Sequence, residues 1–316
     1  MRNSCRAVVT AVLLIAIGGC ASSRTAPGAD KAAPAATKPE EAKAASASTK
    51  DAKGYSDAVQ RGDAAWQAQD FDRAIYFYVQ ALDVSPDDAV TLAKIGTIED
   101  ARGNAALAGR AFAMSHRAKP DEPRVAERLA RLYLKVGKVD NASEIYAQVL
   151  ATDPDRTRAL DGMGEVCLAR SDYGQAILYF NRALEAEKPD AASVLTHRGY
   201  AKLRSRDLAG AEADLRSALS VQQRDDAWVA PRDDAWRYLG DVLVLRGDAA
   251  GALESLLNVM STAEAFNEIG VTLMNVKQYH DAREYFTKAI SASAAWYEAA
   301  QRNLALVDER LRNPSG

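Results

Sequence analysis

Histidine, cysteine and carboxylate side chains bind metals and activate nucleophiles, and this chain of 316 residues spaces few of them for such work. Its three histidines, His116, His197 and His280, are far apart, and no histidine pair one helical turn apart encloses a glutamate as in H-E-x-x-H zinc sites. Asp153 and Asp155 begin like a calcium-binding loop, but the glycine and terminal glutamate of that loop are missing. The sequence also contains no phosphate-binding glycine loop and no G-x-S-x-G motif. These patterns predict no enzyme, no cofactor and no metal site.

The net charge also excludes a class of partner. The chain is formally −3, and nothing in this balance indicates nucleic acid. The many Asp and Glu residues are interpreted as solvated helix faces.

One cysteine directly follows a short apolar stretch. Arg2 and Arg6 precede the apolar run 7–17, which is shorter than the roughly 20 residues that a membrane-spanning helix needs and is typical of a secretory leader. The segment "IGGC", which ends at Cys20, resembles the lipobox of bacterial lipoproteins. That resemblance implies a signal peptide at 1–19 and diacylation, with palmitate for example, of Cys20. A signal peptide without lipidation is the alternative.

The other two cysteines fit this interpretation. Cys5 leaves with the leader and Cys20 carries lipid, so the mature chain keeps one thiol and forms no internal disulfide. That thiol, Cys167, stands between Val166 and Leu168 on a predicted helix, where a small buried hydrophobe is expected.

The segment after Cys20 is predicted to be a disordered tether. Residues 21–50 contain no aromatic residue, Ile, Leu, Val or Met, so they cannot bury enough apolar surface to offset the entropy of ordering them. The segment 20–50 should therefore hold a folded region at a distance from the membrane.

A pattern recurs along the rest of the chain. A small anchor residue is followed by a small residue twelve positions later, an aromatic or aliphatic residue sixteen positions later and, in three copies, a proline twenty-four positions later; the first four anchors are 34 residues apart. The anchors are Gly62, Gly96, Ala130, Gly164, Gly199, Gly240 and Gly270, and the residues sixteen positions later are Tyr78, Phe112, Tyr146, Phe180, Leu215, Leu256 and Phe286.

This pattern resembles the tetratricopeptide repeat, a pair of antiparallel helices whose small residues allow close crossing. The resemblance implies an all-α, right-handed superhelical solenoid of about seven helix pairs over 51–294. Gly103, Gly137 and Gly247 fall at turns between paired helices, where a left-handed residue is expected. An amphipathic helix and tail at 295–316 should cap the exposed end of the stack.

Two spacings depart from the pattern. Between the fifth and sixth anchors the gap is 41 residues, and the pentapeptide "RDDAW" occurs there at 224–228 and again at 232–236. Trp228, in the first copy, is either an exposed anchor for a partner or a duplication product packed on neighbouring helices, and we favour the second. The gap between the sixth and seventh anchors is 30 residues.

In tetratricopeptide proteins, set positions of each first helix line the concave groove. Carried over residue by residue, the predicted partner-binding groove is Trp66, Glu127, Arg131, Leu134, Lys135, Asp161, Glu165, Leu168, Tyr200, Arg204, Arg237 and Asp241. Chaperone-binding members have asparagine one residue after the anchor, and none stands there in the first four repeats, so their carboxylate clamp is not expected. Arg131 and Lys135 form a basic centre, and as exposed charges they should contribute little to stability.

These features together predict a lipid-anchored scaffold that binds a peptide or helix of a partner protein. Ala21 follows the lipidated cysteine, where aspartate would imply retention at the inner membrane. In a two-membrane bacterium this implies the inner leaflet of the outer membrane, facing the periplasm. Anchor and repeats resemble the tetratricopeptide lipoproteins of tight-adherence (Flp) pilus systems and the pilotins of secretins. An adaptor that regulates a periplasmic protease or cell-wall enzyme is the alternative function.

Overall fold

The computed structural model describes residues 38–186, 191–220, 232–295 and 297–313, with side chains from residue 51 onward, Arg232 excepted. The leader, Cys20 and Trp228 lie outside the described residues. Within these ranges all regular structure is helical. The helices are α1 Lys38–Gln67, α2 Phe71–Val84, α3 Ala89–Ala101, α4 Ala105–Ala118, α5 Pro123–Lys135, α6 Val139–Thr152, α7 Thr157–Ala169, α8 Tyr173–Glu185, α9 Ala191–Arg204, α10 Leu208–Ser220, α11 Arg232–Leu245, α12 Ala249–Leu256, α13 Thr262–Asn275, α14 Tyr279–Ala292 and α15 Glu298–Arg312.

The chain divides into two compact units, a first unit of residues 1–145 and a second unit of residues 146–316. The division falls inside α6. In chain order the helices form the seven expected pairs, from α1 and α2 to α13 and α14, with α15 following the last pair. Among the described helices, none combines the length and apolar character that crossing a bilayer requires.

In six of the seven pairs, the core forms where an anchor glycine meets the residue sixteen positions later. In the first unit, a Cβ placed on Gly96 would lie 2.8 Å from the ring of Phe112. In the second unit, a Cβ on Gly164 would lie 2.2 Å from the ring of Phe180. Both rings are fully buried: the small anchor lets the helices cross closely, as the repeat pattern predicted, and the structure shows that the ring is enclosed within the pair.

The turn between the helices of every pair contains a residue with positive φ. Three of the seven turns use the predicted glycines, Gly103, Gly137 and Gly247, whereas the other four place Gln69, Ser171, Arg206 and Lys277 there. Each turn ends its helix with a Schellman-type bond, such as that from the Asn104 amide to the Glu99 carbonyl at 2.8 Å. The helix end therefore imposes the left-handed conformation even where no glycine relieves it.

The structure differs from the predicted tether in one respect. Helix α1 begins at Lys38, twelve residues before the end of the predicted 20–50 segment. The reason is composition, because Ala, Glu and Lys are strong helix formers and no proline occurs after Pro39 in α1. An absence of core-forming residues does not by itself prevent a helix from extending outward from a packed one.

The C-terminal helix α15 packs on the last helix pair. Val307 is fully buried, Arg283 of α14 pairs with Asp308 at 2.7 Å, and Asn303 donates to Asn267 of α13 at 3.0 Å. The segment predicted to cap the stack is thus helical and covers part of the seventh pair.

Candidate functional site

The predicted groove residues all lie on first helices of the pairs. In the first unit, Trp66 is on α1, and Glu127, Arg131, Leu134 and Lys135 are on α5. Those of the second unit are Asp161, Glu165 and Leu168 on α7, Tyr200 and Arg204 on α9, and Arg237 and Asp241 on α11. The prediction thus selected the first helix in five of the seven pairs, and the environments of these side chains differ widely.

Two predicted groove carboxylates are buried. Glu127 and Asp161, each three residues before its anchor, are 1% and 2% exposed. They are buried because the position three residues before the anchor faces a neighbouring helix and is not open to solvent. Neither side chain can offer much surface to a partner, which corrects the expectation drawn from the family pattern for these two residues.

In the first unit, polar residues of successive first helices are joined by ion pairs. Lys94 of α3 pairs with Asp63 of α1, and the same carboxylate accepts a hydrogen bond from the Tyr78 hydroxyl at 2.7 Å. Arg131 of α5 reaches Asp100 of α3 at 3.5 Å. The side chains of Arg131 and Asp100 are 26% and 14% exposed, so Arg131 is not the freely solvated charge that the sequence suggested.

The other first-unit groove residues are simpler. Lys135 is exposed and Leu134 is half-buried. Trp66 is half-buried, with its ring edge against Tyr78 at a centroid distance of 6.3 Å. Of the predicted basic centre, Lys135 alone is a plain surface charge.

A pocket of about 270 Å³ opens among α3, α4 and α5 of the first unit. Its apolar lining includes Val90, which is 58% exposed, and the buried ring of Phe112. Lys119, Arg124 and Arg128 contribute cationic groups, and the guanidinium of Arg128 lies 6.0 Å from the centre of the Phe112 ring. The remaining lining residues are Ala89, Ala93, Thr97, Ser115, Glu122 and Val125. Apolar walls with three cations and one carboxylate suit an apolar side chain next to an acidic group.

In the second unit, a carboxylate and an imidazole from successive first helices meet. Asp161 Oδ1 lies 2.8 Å from His197 Nδ1, and Glu165 brings a further carboxylate so that one potential ligand atom from each residue lies within 4.8 Å of the others. Burial lowers the pKa of His197, but attraction by Asp161 and Glu165 outweighs burial and raises that pKa to about 9. The imidazole is therefore held mostly as a cation at neutral pH.

A second charged cluster joins α9 and α10. Asp214, whose side chain is 7% exposed, accepts two hydrogen bonds from Arg198 at 2.6 and 2.7 Å. Lys202 adds a third contact at 2.8 Å. A two-pronged arginine contact plus a lysine compensates this buried carboxylate thoroughly.

Aromatic and acidic groups continue along the second unit's first helices. The rings of Tyr200 and Tyr238 lie 4.7 Å apart, and Arg204 donates to the Tyr200 hydroxyl at 2.7 Å. Asp241 accepts a hydrogen bond of 2.6 Å from Thr272.

Asp241 also has a perturbed pKa. Burial raises the pKa of this carboxyl group and Glu268 raises it further, while the Thr272 hydrogen bond and Arg237 oppose the shift; the result is a pKa of about 6. Arg237 itself pairs with Glu268 at 3.4 Å. The hydrogen bond from Thr272 and the charge of Arg237 thus offset only part of the cost of burying the Asp241 carboxylate.

Sequence reasoning missed the clusters of Asp161 with His197 and of Asp214 with Arg198. Asp161 and His197 are 36 residues apart, close to one repeat length, so a search for polar residues separated by about one repeat could have found them. Asp214 and Arg198 are 16 residues apart, which is also the spacing between each anchor and its ring. No local motif contains either pair, and motif scanning therefore passes over them.

The paired helices, glycine-to-ring contacts and left-handed turns define a helical repeat protein of the scaffold class. Models of the tetratricopeptide repeat match residues 127–192, 196–260 and 263–295. The chain belongs to the tetratricopeptide repeat family. Members of this family typically serve as protein-interaction modules without catalytic activity, and this chain is a protein-interaction scaffold.

Individual proteins resemble the chain to different extents. The protein FlbA of Caulobacter vibrioides is 25% identical over 150 residues, which are 48% of this chain and 25% of FlbA; the chain thus spans about a quarter of that relative. A tetratricopeptide repeat protein from Parabacteroides merdae has a TM-score of 0.59 at 19% identity, covering 81% of this chain and 99% of its own. PilW, a type IV pilus biogenesis factor, has a TM-score of 0.55 at 17% identity, covering 68% of this chain and 98% of its own. At such identities the structural matches establish the fold alone.

Proposed function

We propose that this protein is a periplasmic scaffold, anchored to the outer membrane through lipid on Cys20, that binds partner proteins during assembly of a pilus or secretin machine. The pocket among α3, α4 and α5 carries the proposal. It combines exposed apolar surface with cations, so it suits a partner segment in which an apolar residue adjoins an acidic one. The fold likeness to PilW supports a pilus system, and the "IGGC" segment supports the anchor.

Site-specific cross-linking in cells tests the pocket. A photoreactive residue at Thr97, which lines the pocket, should capture an envelope protein. Val90→Asp should reduce that capture about tenfold, since it places a carboxylate where an apolar side chain of the partner packs, at a cost on the order of 1.4 kcal/mol. Val136→Asp is the matched control, because Val136 is similarly exposed at 56% in the same unit but does not line the pocket. Equal capture by both variants would exclude the pocket as the binding surface.

The identity of the captured protein and the lipidation of Cys20 test the rest of the proposal. A pilus or secretin component supports the assembly function, whereas a protease or cell-wall enzyme would establish the adaptor function instead. Labelled fatty acid should be incorporated into the wild-type protein and not into Cys20→Ser, which should also leave the outer-membrane fraction. Equal labelling of both would exclude lipidation at Cys20.

A further inference from the structure

The best-defined group of potential metal ligands in the described chain lies in the second unit, away from the pocket. Asp161 and Glu165 are one turn apart on α7 and therefore share a face. His197 approaches them from α9. One ligand atom from each residue lies within 4.8 Å of the other two.

We propose that Asp161, Glu165 and His197 form a binding site for a transition-metal dication of the zinc class. A tetrahedral ion with bonds of about 2.0 to 2.1 Å keeps its ligand atoms about 3.3 Å apart. The Asp161 oxygen and the His197 nitrogen are already 2.8 Å apart, so the ion fits once the imidazolium releases the proton between them to solvent and the two atoms separate by about half an ångström. Glu165 reaches the same ion by rotating its flexible side chain.

The ligand types select the metal. An imidazole nitrogen with two carboxylate oxygens suits Zn²⁺, Co²⁺ or Ni²⁺, whereas Mg²⁺ and Ca²⁺ prefer sites built from oxygen alone. Three protein ligands leave a fourth position for water or for a side chain of a partner.

The surroundings keep the ligands in place. Ser193 of α9 lies 3.4 Å from the second oxygen of Asp161, as an outer group that orients a ligating carboxylate does. The His197 ring packs beside Phe180 at a centroid distance of 5.8 Å. Asp234 of α11 adds negative potential at His197, which favours a dication. Because the ligands come from two successive repeats, the ion would fix the contact between the fourth and fifth helix pairs.

Calorimetric titration of the full-length protein with Zn²⁺ alone tests this site. We expect one ion per chain, with an increase in Tm when Zn²⁺ is present in excess of its Kd and none with Mg²⁺. Loss of an outer group alone weakens metal sites about 10- to 100-fold, so Glu165→Gln and His197→Ala should each raise the Kd by at least about tenfold. His280→Ala is the matched control, since His280 is exposed on α14 and should leave the Kd unchanged.

Cobalt substitution separates this site from adventitious binding to a thiol. Bound Co²⁺ should show the visible absorption of a tetrahedral nitrogen and oxygen site without a thiolate charge-transfer band, and Cys167→Ser should leave that spectrum unchanged. Glu165 is half-buried, so Glu165→Gln keeps the test valid if His197→Ala fails to fold. The absence of a one-to-one complex, or a Kd that Glu165→Gln does not change, would overturn the proposal.

Discussion

The two units use the same repeat but place different kinds of partner opposite several of their first-helix carboxylates. In the first unit, the first-helix carboxylates Asp63 and Asp100 are paired with Lys94 and Arg131, which stay charged at any physiological pH. In the second unit, Asp161 meets a histidine and Asp241 meets a threonine. The contrast shows that the repeat determines which helices are in contact, while the residue across the contact determines how the negative charge of a carboxylate is balanced.

Solvent access strengthens this contrast. The Asp63 side chain is 43% exposed, whereas those of Asp161 and Asp214 are 3% and 7% exposed. Exposed pairs contribute little because water already solvates both charges. Buried groups pay for desolvation and depend on their partners. At these positions, the second unit should therefore respond more strongly when a charge is removed.

The largest expected effect comes from truncating one well-paired carboxylate in each unit. Asp214→Ala leaves Arg198 and Lys202, about 19% and 18% exposed, without their shared partner, and should lower the free energy of unfolding by about 3 to 5 kcal/mol. Asp63→Ala should cost only about 1 to 2 kcal/mol, mainly through the lost hydrogen bond to Tyr78. Urea unfolding followed by circular dichroism compares them, and equal losses would show that exposure does not separate the units.

The next effect has the opposite sign, because Asp241 is a carboxylate that the fold disfavours when charged. Its pKa of about 6 in the folded protein exceeds the usual 3.8, so the folded protein favours the protonated carboxyl group. The stability gained from protonation is complete below pH 4 and is lost as pH rises through 6. Asp241→Asn keeps an acceptor for Thr272 and removes the charge. It should therefore stabilise the protein by about 1 to 3 kcal/mol at pH 7.5 and by almost nothing at pH 4.

Thermal unfolding of wild type and Asp241→Asn across this pH range measures the difference directly. The comparison within each pH removes the contributions of other titrating groups, provided that they do not couple to position 241. A variant that is less stable than wild type at pH 7.5 would show that the ionised carboxylate is well compensated. The second unit would then resemble the first at this position.

The sequence predicted the fold well because its signals are local. The anchor glycines and the aromatic or aliphatic residues sixteen positions later meet within one helix pair, so the spacing alone determines the contact. The turns were harder, since Ser171 and Lys277 adopt positive φ under the constraint of the helix end and not through a local preference. The lack of core-forming residues in 21–50 likewise did not predict that α1 starts at Lys38, which the helix propensity of Ala, Glu and Lys favours.

The candidate sites were less predictable because their contacts cross between helix pairs. The family pattern assigned Glu127 to the groove, but its side chain is buried. Whether this position faces solvent depends on how neighbouring helices pack. The contact between Asp161 and His197 depends on the same packing. Repeat periodicity identifies which helices are neighbours, but the depth of each side chain follows from side-chain volumes across the contact.

The smallest expected effect concerns Arg131, for which the sequence suggested a solvated charge. Its pairing with Asp100 across 3.5 Å, at 26% and 14% exposure, should make Arg131→Ala cost about 0.5 to 1 kcal/mol, whereas Lys135→Ala, at an exposed position four residues later on the same helix, should cost almost nothing. A double-mutant cycle of Arg131→Ala with Asp100→Ala isolates the pair from other contacts of either residue. A coupling energy of zero would place this pair with ordinary surface charges and would widen the difference between the units, since a first-unit ion pair that is largely shielded from water would then contribute nothing.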